Sequence, residues 1–335
     1  MKVAQVKENK IIVSEIDDIK LDGRKGAIVM TLGCGLCGSD IVKFRHKIVH
    51  DGAVLGHEIV AEILEINSDT KFKKGDRIVT SHHIPCGECN FCKHGNVSMC
   101  EHFKKTNIFP GGFSEKVFVS EEHLKNVAYL VPENMTDEEI SFYEPLGCCI
   151  RAIKRCALQK DDTALIVGLG SIGLLMGEGL KAMGYKVYGC DLIPERIELA
   201  KKMGIEPFDF SFEVDGVFMT SGADKAIDTA LKAVRAGGKI LVFSSTPLSN
   251  GYPNNEIYYK ELTVNADGSY SFSAMKGAQT KTVAIDAALK TETNYGDYEL
   301  DLNNEAFAAV IDTNTDKIYG VTVNTTDGTN YGLRH

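Results

Sequence analysis

The chain has 335 residues, 44% hydrophobic and 25% charged, which suits two ordinary domains with sizeable cores. Its 37 Lys and Arg against 46 Asp and Glu give a net charge of −9, the reverse of the basic balance that nucleic-acid binding calls for. The longest uncharged apolar stretch, Ala164 to Gly177, is too short for a membrane span. The N-terminus MKVAQVKENK has no apolar signal core, so ten cysteines read as reduced thiols in a cytoplasmic protein.

Residues 1–145 read as short strands and loops. Ile11–Val13, Gly26–Met30, Glu58–Ile66 and Arg77–Val79 are β-branched runs separated by Gly, Asp and Lys turns. Between them, Gly33-Cys34-Gly35-Leu36-Cys37-Gly38-Ser39-Asp40 is followed by Gly56-His57-Glu58 and, farther on, by Tyr143-Glu144-Pro145-Leu146. One thiolate, one imidazole and one or two carboxylates make an open zinc site with a position left for water or a substrate oxygen. Alone, each piece reads as a core cysteine, a satisfied histidine or a helix start; their value lies in occurring together. Cys86, Cys89, Cys92 and Cys100 follow a C-x2-C-x2-C-x7-C spacing. Four thiolates so close can wrap one tetrahedral ion at Zn–S distances of about 2.3 Å, a closed and therefore structural site. An iron–sulfur cluster and four unligated buried thiols are the alternatives.

From residue 146 strands and helices alternate. Ala164–Val167 is an apolar strand, Ile172–Met183 a helix, Lys186–Cys190 a strand and Pro194–Met203 a helix. Val217–Met219, the helix Lys225–Val234 and the strand Lys239–Phe243 continue the alternation, which predicts a parallel, doubly wound sheet. The connection from Gly204 to Val217 is too short for a full helix, so one crossover is abbreviated. Gly168-Leu169-Gly170-Ser171-Ile172-Gly173 lies between strand and helix, the context that a dinucleotide fingerprint requires. Gly168 permits the tight turn, Gly170 the approach of a pyrophosphate and Gly173 close helix–strand packing. The helix start at Ser171 and Ile172 faces the phosphates. Asp191, 21 residues beyond Gly170, is placed to accept hydrogen bonds from a ribose and to repel a 2′-phosphate, which favours NAD over NADP. Arg196 is either a contact near the adenine or a solvated helix charge.

Beyond Ser271 the composition changes. Residues 275–335 contain no Cys and no Pro, and Thr, Asn and Asp dominate. Tyr298–Leu302, Ala308–Asp312 and Tyr319–Val323 read as strands, with hairpin turns at Asp316-Lys317 and Asp327-Gly328.

The ordered GHE, CxxCxxC, EPL and GxGxxG elements resemble zinc-dependent medium-chain dehydrogenases, most of all the polyol branch of sorbitol and iditol dehydrogenases, with threonine dehydrogenase nearby. The resemblance runs from residue 1 to about 271 and includes Pro110-Gly111-Gly112-Phe113-Ser114-Glu115, Arg235-Ala236-Gly237-Gly238 and Glu261-Leu262-Thr263-Val264. It implies an α/β plus β architecture: a GroES-like zinc-binding catalytic domain over 1–145, a Rossmann NAD-binding domain over 146–271, and an atypical β-leaning segment over 272–335. Two zinc ions per chain are implied. Cys37 and His57 would hold the catalytic one, with Glu58 or Glu144 as carboxylate partner, and Asp40 would orient His57. Ser39 would take the alcohol proton. The histidine that continues this relay in the family is replaced here by Val42, with His46 and His50 as surface substitutes. The implied activity is reversible oxidation of a polyol or other secondary alcohol to the ketone with NAD, without nucleic-acid or membrane partners. A threonine- or amino-alcohol-type dehydrogenase, or a catalytically impaired NAD-binding protein, are the alternatives. The tail, which lacks the family's usual closing helices and strand, is a diverged ending, a substitute β module or a foreign, fused segment. Family members pair through the last strand of the nucleotide sheet, so Glu261–Val264 is expected at the edge of a homodimer or homotetramer.

Overall fold

A computed structural model describes residues 1–223 and 225–244, and the backbone of six strands between 264 and 334. The chain divides into two compact units, Met1–Cys148 and Cys149–His335.

The first unit is β-rich. Strands β1 (Lys2–Lys7) and β2 (Lys10–Glu15) form a hairpin. Next come β3 (Gly26–Gly35), helix α1 (Gly38–Arg45), β4 (Glu58–Asn67) and β5 (Arg77–Thr80). Short helices α2 (Asn90–Lys93) and α3 (Glu101–Lys105) lie in the cysteine-rich loop. They are followed by β6 (Lys116–Ser120), α4 (Glu121–Asn126), β7 (Ala128–Leu130) and α5 (Asp137–Ile140). Helix α6 (Tyr143–Cys156) begins in this unit and continues into the second. The five-stranded antiparallel sheet has the order β6-β3-β4-β5-β7. Alternating residues of β3, β4 and β6 (Ala27, Val29, Ile59, Ala61, Ile63, Val117, Val119) point to one buried face, as the two-residue period of a half-buried strand dictates.

The second unit is doubly wound. Strands β8 (Thr163–Val167), β9 (Lys186–Cys190), β10 (Glu206–Pro207), β11 (Val214–Met219) and β12 (Val234–Val242) alternate with α7 (Ser171–Ala182), α8 (Pro194–Lys202) and α9 (Ala226–Ala233). Successive residues of β8 enter opposite cores. Ala164 and Ile166 pack with Ile153, Met176 and Leu180, whereas Leu165 and Val167 pack with Ile227, Ala230 and Ala233 of α9. A strand buried on both faces must read as an uninterrupted apolar run, which Ala164–Val167 does. Among the described residues no helix lies between β10 and β11. Phe208, Phe210 and Phe212 cluster there edge-to-face, Phe208 and Phe212 against Tyr188, so aromatic rings replace a crossover helix.

The sheet runs β10-β9-β8-β11-β12-β13-β14-β15, with β13 (Val264–Ala266), β14 (Tyr270–Ala274) and β15 (Lys281–Ile285) added antiparallel. Pairing therefore carries the sheet to Ile285, past the boundary drawn at 271. It also corrects the expected edge. Val264 opens β13, which lies between β12 and β14 rather than at the edge of the sheet, and pairs with Ile240 of β12. Glu261–Thr263 lie outside the described residues, as do the expected strand Tyr298–Leu302, Asp316 and the turn Asp327-Gly328. Strands β16 (Glu305–Asp312), β17 (Lys317–Asn324) and β18 (Asn330–Arg334) form a separate antiparallel sheet. Among the described residues no helix is long and apolar enough to cross a membrane.

Candidate functional site

The antiparallel register of β3 and β4 builds the first constellation. Gly35 pairs with Glu58, so the residues just beyond β3 meet those just before β4. Gly35 has to be small, because a Cβ there would lie 2.0 Å from Glu58 Oε2. Cys37 caps α1. Its Sγ accepts the Ser39 N–H at 3.4 Å, while Asp40, at the third helical position, accepts the Cys37 N–H at 3.3 Å, completing a capping box. The other Asp40 oxygen accepts the Gly56 N–H at 3.4 Å and faces His57 Nδ1 at 3.4 Å. Asp40 and His57 are both buried.

The ligand atoms of Cys37, His57 and Glu58 all lie within 4.8 Å of one another. Glu144, in the first turn of α6, lies outside that group, although the charges of His57 and Glu58 act on it. Burial disfavours a charged His57, but hydrogen bonds to Asp40 and Cys37 outweigh it and push its pKa up to about 10. Burial holds the Glu58 and Glu144 carboxyls above the usual carboxylate range. Cys34, in the same segment, is outside the group. Burial pushes its thiol up to about 12, which keeps it a neutral packing residue. A half-buried thiol converging with a buried imidazole and a buried carboxyl fits a divalent cation of zinc's preferences, whose charge would offset their desolvation.

The second constellation is closed. Cys86, Cys89, Cys92 and Cys100 also bring four Sγ atoms within 4.8 Å of one another. Cys89 and Cys100 precede α2 and α3, so their thiols sit at helix starts. Cys86 Sγ accepts the Cys89 N–H at 3.3 Å and lies 3.9 Å from Cys92 Sγ. Backbone N–H groups of Cys86 and Phe103 pull the Cys100 thiol down to about 6. Four thiols so crowded cannot all ionise unless a cation offsets their charge, and four sulfurs with no open position suit tetrahedral zinc.

The third constellation lies in the second unit. A Cβ on Gly173 would stand 1.9 Å from the Gly168 carbonyl oxygen, so the turn closes only with glycine there. Gly170 caps α7 without a side chain, and a Cβ there would meet nothing within 4 Å, which leaves the helix start open. Asp191 follows β9. Its Oδ2 accepts the Leu169 N–H at 2.7 Å and its Oδ1 the Ile193 N–H at 2.9 Å, with Arg196 Nη1 at 3.4 Å. Burial opposes its ionisation, yet these N–H groups and the guanidinium hold it below the usual carboxylate range. Arg196 thus pairs with Asp191 in this structure.

Residues 23–129 match the alcohol dehydrogenase GroES-like domain. The chain is 28% identical over 291 residues to a sorbitol dehydrogenase of Bacillus subtilis, covering 80% of each, and 27% identical over 265 residues to an L-threonine 3-dehydrogenase of Alteromonas mediterranea, covering 72% of this chain and 76% of that one. Among solved structures, the alcohol dehydrogenase TADH from Thermus sp. ATN1 superposes with a TM-score of 0.64 at 25% identity, covering 74% of this chain and 79% of that one. Together these likenesses support a zinc-type medium-chain alcohol or polyol dehydrogenase family for the chain.

The structure also carries features that the motifs do not announce. Ser39 is exposed on α1. Val42, at the relay position, is exposed too, as are His46 and His50, whose Nδ1 lies 2.9 Å from the Asp51 carbonyl. Sequence reasoning passed over His82 and His83, at the end of β5. The His82 ring lies against His57 with centroids 4.5 Å apart, and burial pushes its pKa down to about 2, so the ring is neutral. A histidine pair two residues short of the four-cysteine run was the available signal. It has no metal-ligand spacing of its own.

Proposed function

We propose that this chain is a zinc- and NAD-dependent dehydrogenase that oxidises a polyol or other secondary alcohol to the ketone, reversibly. The observation that carries the reading is the convergence of Cys37, His57 and Glu58, with Asp40 behind His57, in the same unit as a separate closed set of four cysteines. Cys37, His57 and Glu58 would hold the catalytic zinc, with Glu144 as the alternative carboxylate, and Cys86, Cys89, Cys92 and Cys100 would hold the structural one. Zinc held there would supply Lewis-acid polarisation of the substrate hydroxyl, and a bound nicotinamide would supply the hydride acceptor.

The chain's own residues do the remaining work. Asp40 fixes the orientation of the His57 ring from behind. Ser39, exposed at the first turn of α1, takes the proton of the alcohol. Val42 cannot pass it on, so the proton leaves Ser39 directly to water. Gly168, Gly170 and Gly173 shape a turn whose helix start, at Ser171 and Ile172, receives the pyrophosphate. Asp191 accepts hydrogen bonds from the adenosine ribose, and Arg196 is the charge beside it. On this reading the chain assembles as a homodimer or homotetramer in a reducing, cytoplasmic compartment, a setting consistent with uncrosslinked thiol ligands.

The test is zinc per chain on protein purified without added metal, followed by NAD reduction over a panel of polyols, simple secondary alcohols and threonine. About two zincs and turnover on a polyol that Cys37→Ser abolishes is the expected result. One zinc and no turnover on any alcohol would mean that the open set does not function as a catalytic centre. Turnover on threonine alone would move the chain to the amino-alcohol reading, which its likeness to an L-threonine 3-dehydrogenase supports.

A further inference from the structure

A ladder of four rings runs from the open ligand set to the four-cysteine loop. His57 meets His82 at a centroid separation of 4.5 Å, His82 meets His83 at 3.8 Å, and His83 meets Phe103 at 4.7 Å, each pair tilted by 40° to 44°. Both ends are tied down. Phe103 lies in α3, three residues after Cys100, while His83 and Ile84 precede Cys86. The His83 Nδ1–H donates to the Thr106 carbonyl at 2.5 Å, and the Ile84 N–H donates to Thr106 Oγ1 at 2.8 Å. From the other side, the His123 Nε2–H donates to the His82 carbonyl at 3.1 Å. The His82 Nδ1 is buried without a hydrogen-bond partner, so ring contact rather than that nitrogen settles where this imidazole sits.

We infer that His82 is a positioning residue whose ring, held between His57 and His83, ties the plane of the His57 imidazole to the order of the four-cysteine loop. Asp40, 3.4 Å from Nδ1, and Cys37 hold His57 through polar contacts of the ring nitrogens, and contacts of that kind leave the tilt of the ring free to rock. The His82 face removes that freedom. The two ligand sets are then mechanically linked: disorder at Phe103 and His83 reaches His57 through a contiguous packed chain. The inference rests on the reading that Cys37, His57 and Glu58 bind a metal.

The test is metal binding by the whole protein, with zinc kept on the four cysteines and cobalt(II) titrated into the open set. Affinity and the visible absorption of the cobalt are both read. His82→Ala should weaken cobalt binding by roughly ten- to hundredfold, the range for residues that orient a metal ligand, and should alter the cobalt spectrum. Phe103→Ala should do the same to a smaller degree. His82→Phe, which keeps a ring and discards both nitrogens, should restore affinity and spectrum. Retained zinc on the four cysteines and unchanged circular dichroism show that each variant is folded. If His82→Ala loses that zinc too, His82→Leu takes its place in the comparison. Wild-type affinity and spectrum in the variant lacking the ring would overturn the inference, as would His82→Phe failing as badly as His82→Ala. A wild-type protein that binds no cobalt beside its four-cysteine zinc would overturn the metal reading itself, and the inference with it.

Discussion

Replacing Asp191 separates two roles that one carboxylate performs. Its side chain is only 7% exposed and accepts backbone N–H groups from Leu169, inside the glycine turn, and from Ile193. Facing a ribose, the same charge would repel a 2′-phosphate. At an effective dielectric of about 20, two unit charges about 6 Å apart interact by roughly 3 kcal/mol. Arg196, with Nη1 3.4 Å from Oδ2, offsets part of that, leaving ~1–2 kcal/mol of discrimination, about five- to thirtyfold. Asp191→Asn removes the charge but keeps a carbonyl oxygen for the Leu169 N–H. It should raise the NADP/NAD ratio of kcat/KM by about that factor and lower stability by about 1–3 kcal/mol, because its amide NH2 cannot accept the Ile193 N–H. Asp191→Ser removes the reach to Leu169 as well. A second unpaired N–H adds about 1–3 kcal/mol, so this variant should melt lower still and bind both cofactors more weakly. Steady-state kinetics with both cofactors and a thermal melt of each variant decide the matter. An unchanged cofactor ratio in Asp191→Asn would refute the ribose role and leave Asp191 as a brace for the turn.

Other perturbations follow from the same contacts. Gly35→Ala places a Cβ 2.0 Å from Glu58 Oε2 and should displace that carboxyl, costing the open-set zinc while the four-cysteine zinc stays; metal analysis finding both zincs would contradict this. Gly173→Ala, 1.9 Å from the Gly168 carbonyl, should cost about 1–3 kcal/mol by overpacking and weaken NAD binding, readable by denaturant unfolding and cofactor fluorescence. In the metal-free protein the His57 pKa is raised from 6.5 to about 10, so its stabilising contribution is complete below pH 6.5 and is lost as pH rises through about 10. Denaturant melts of metal-free protein between those limits should show that loss, and Asp40→Asn should flatten it. Equal slopes in the two proteins would rule out the pair as its source.

Much of the architecture was legible because local chemistry and tertiary demand agree. Ala164–Val167 is apolar at every position and lies between two cores, and the short Gly204–Val217 connection left no room for a helix. The aromatic alternation Phe208, Phe210, Phe212 filled that gap, which in hindsight is a two-residue pattern aimed at a sheet face. Helix α1 was missed, although Cys37 and Asp40 stand at the spacing of a capping box. Cysteine is an unusual cap, and the usual cap residue types, Ser39 and Asp40, stand inside the first turn rather than before it. The choice between Glu58 and Glu144 could not be read from spacing, because it depends on the pairing of Gly35 with Glu58, a register between strands far apart in sequence.

The same dependence limits what the acidic residue after the second nucleotide strand can say about cofactor choice. Motif reasoning treats Asp191 as a ribose ligand, but its two short hydrogen bonds go to the chain's own N–H groups, one of them inside the turn that would receive the pyrophosphate. A carboxylate at this position therefore earns its place through the turn before any cofactor arrives. Its presence argues for an ordered glycine loop at least as strongly as for NAD. Arg196 sharpens the point, since its pairing with Asp191 lowers the negative potential that is meant to exclude a 2′-phosphate. If Asp191 faces the ribose, cofactor preference is the difference between a charge and its partial neutralisation. Replacing Arg196 with Gln should thus strengthen discrimination against NADP, moving the ratio opposite to Asp191→Asn. If both substitutions moved it the same way, the two side chains would not be acting on one phosphate.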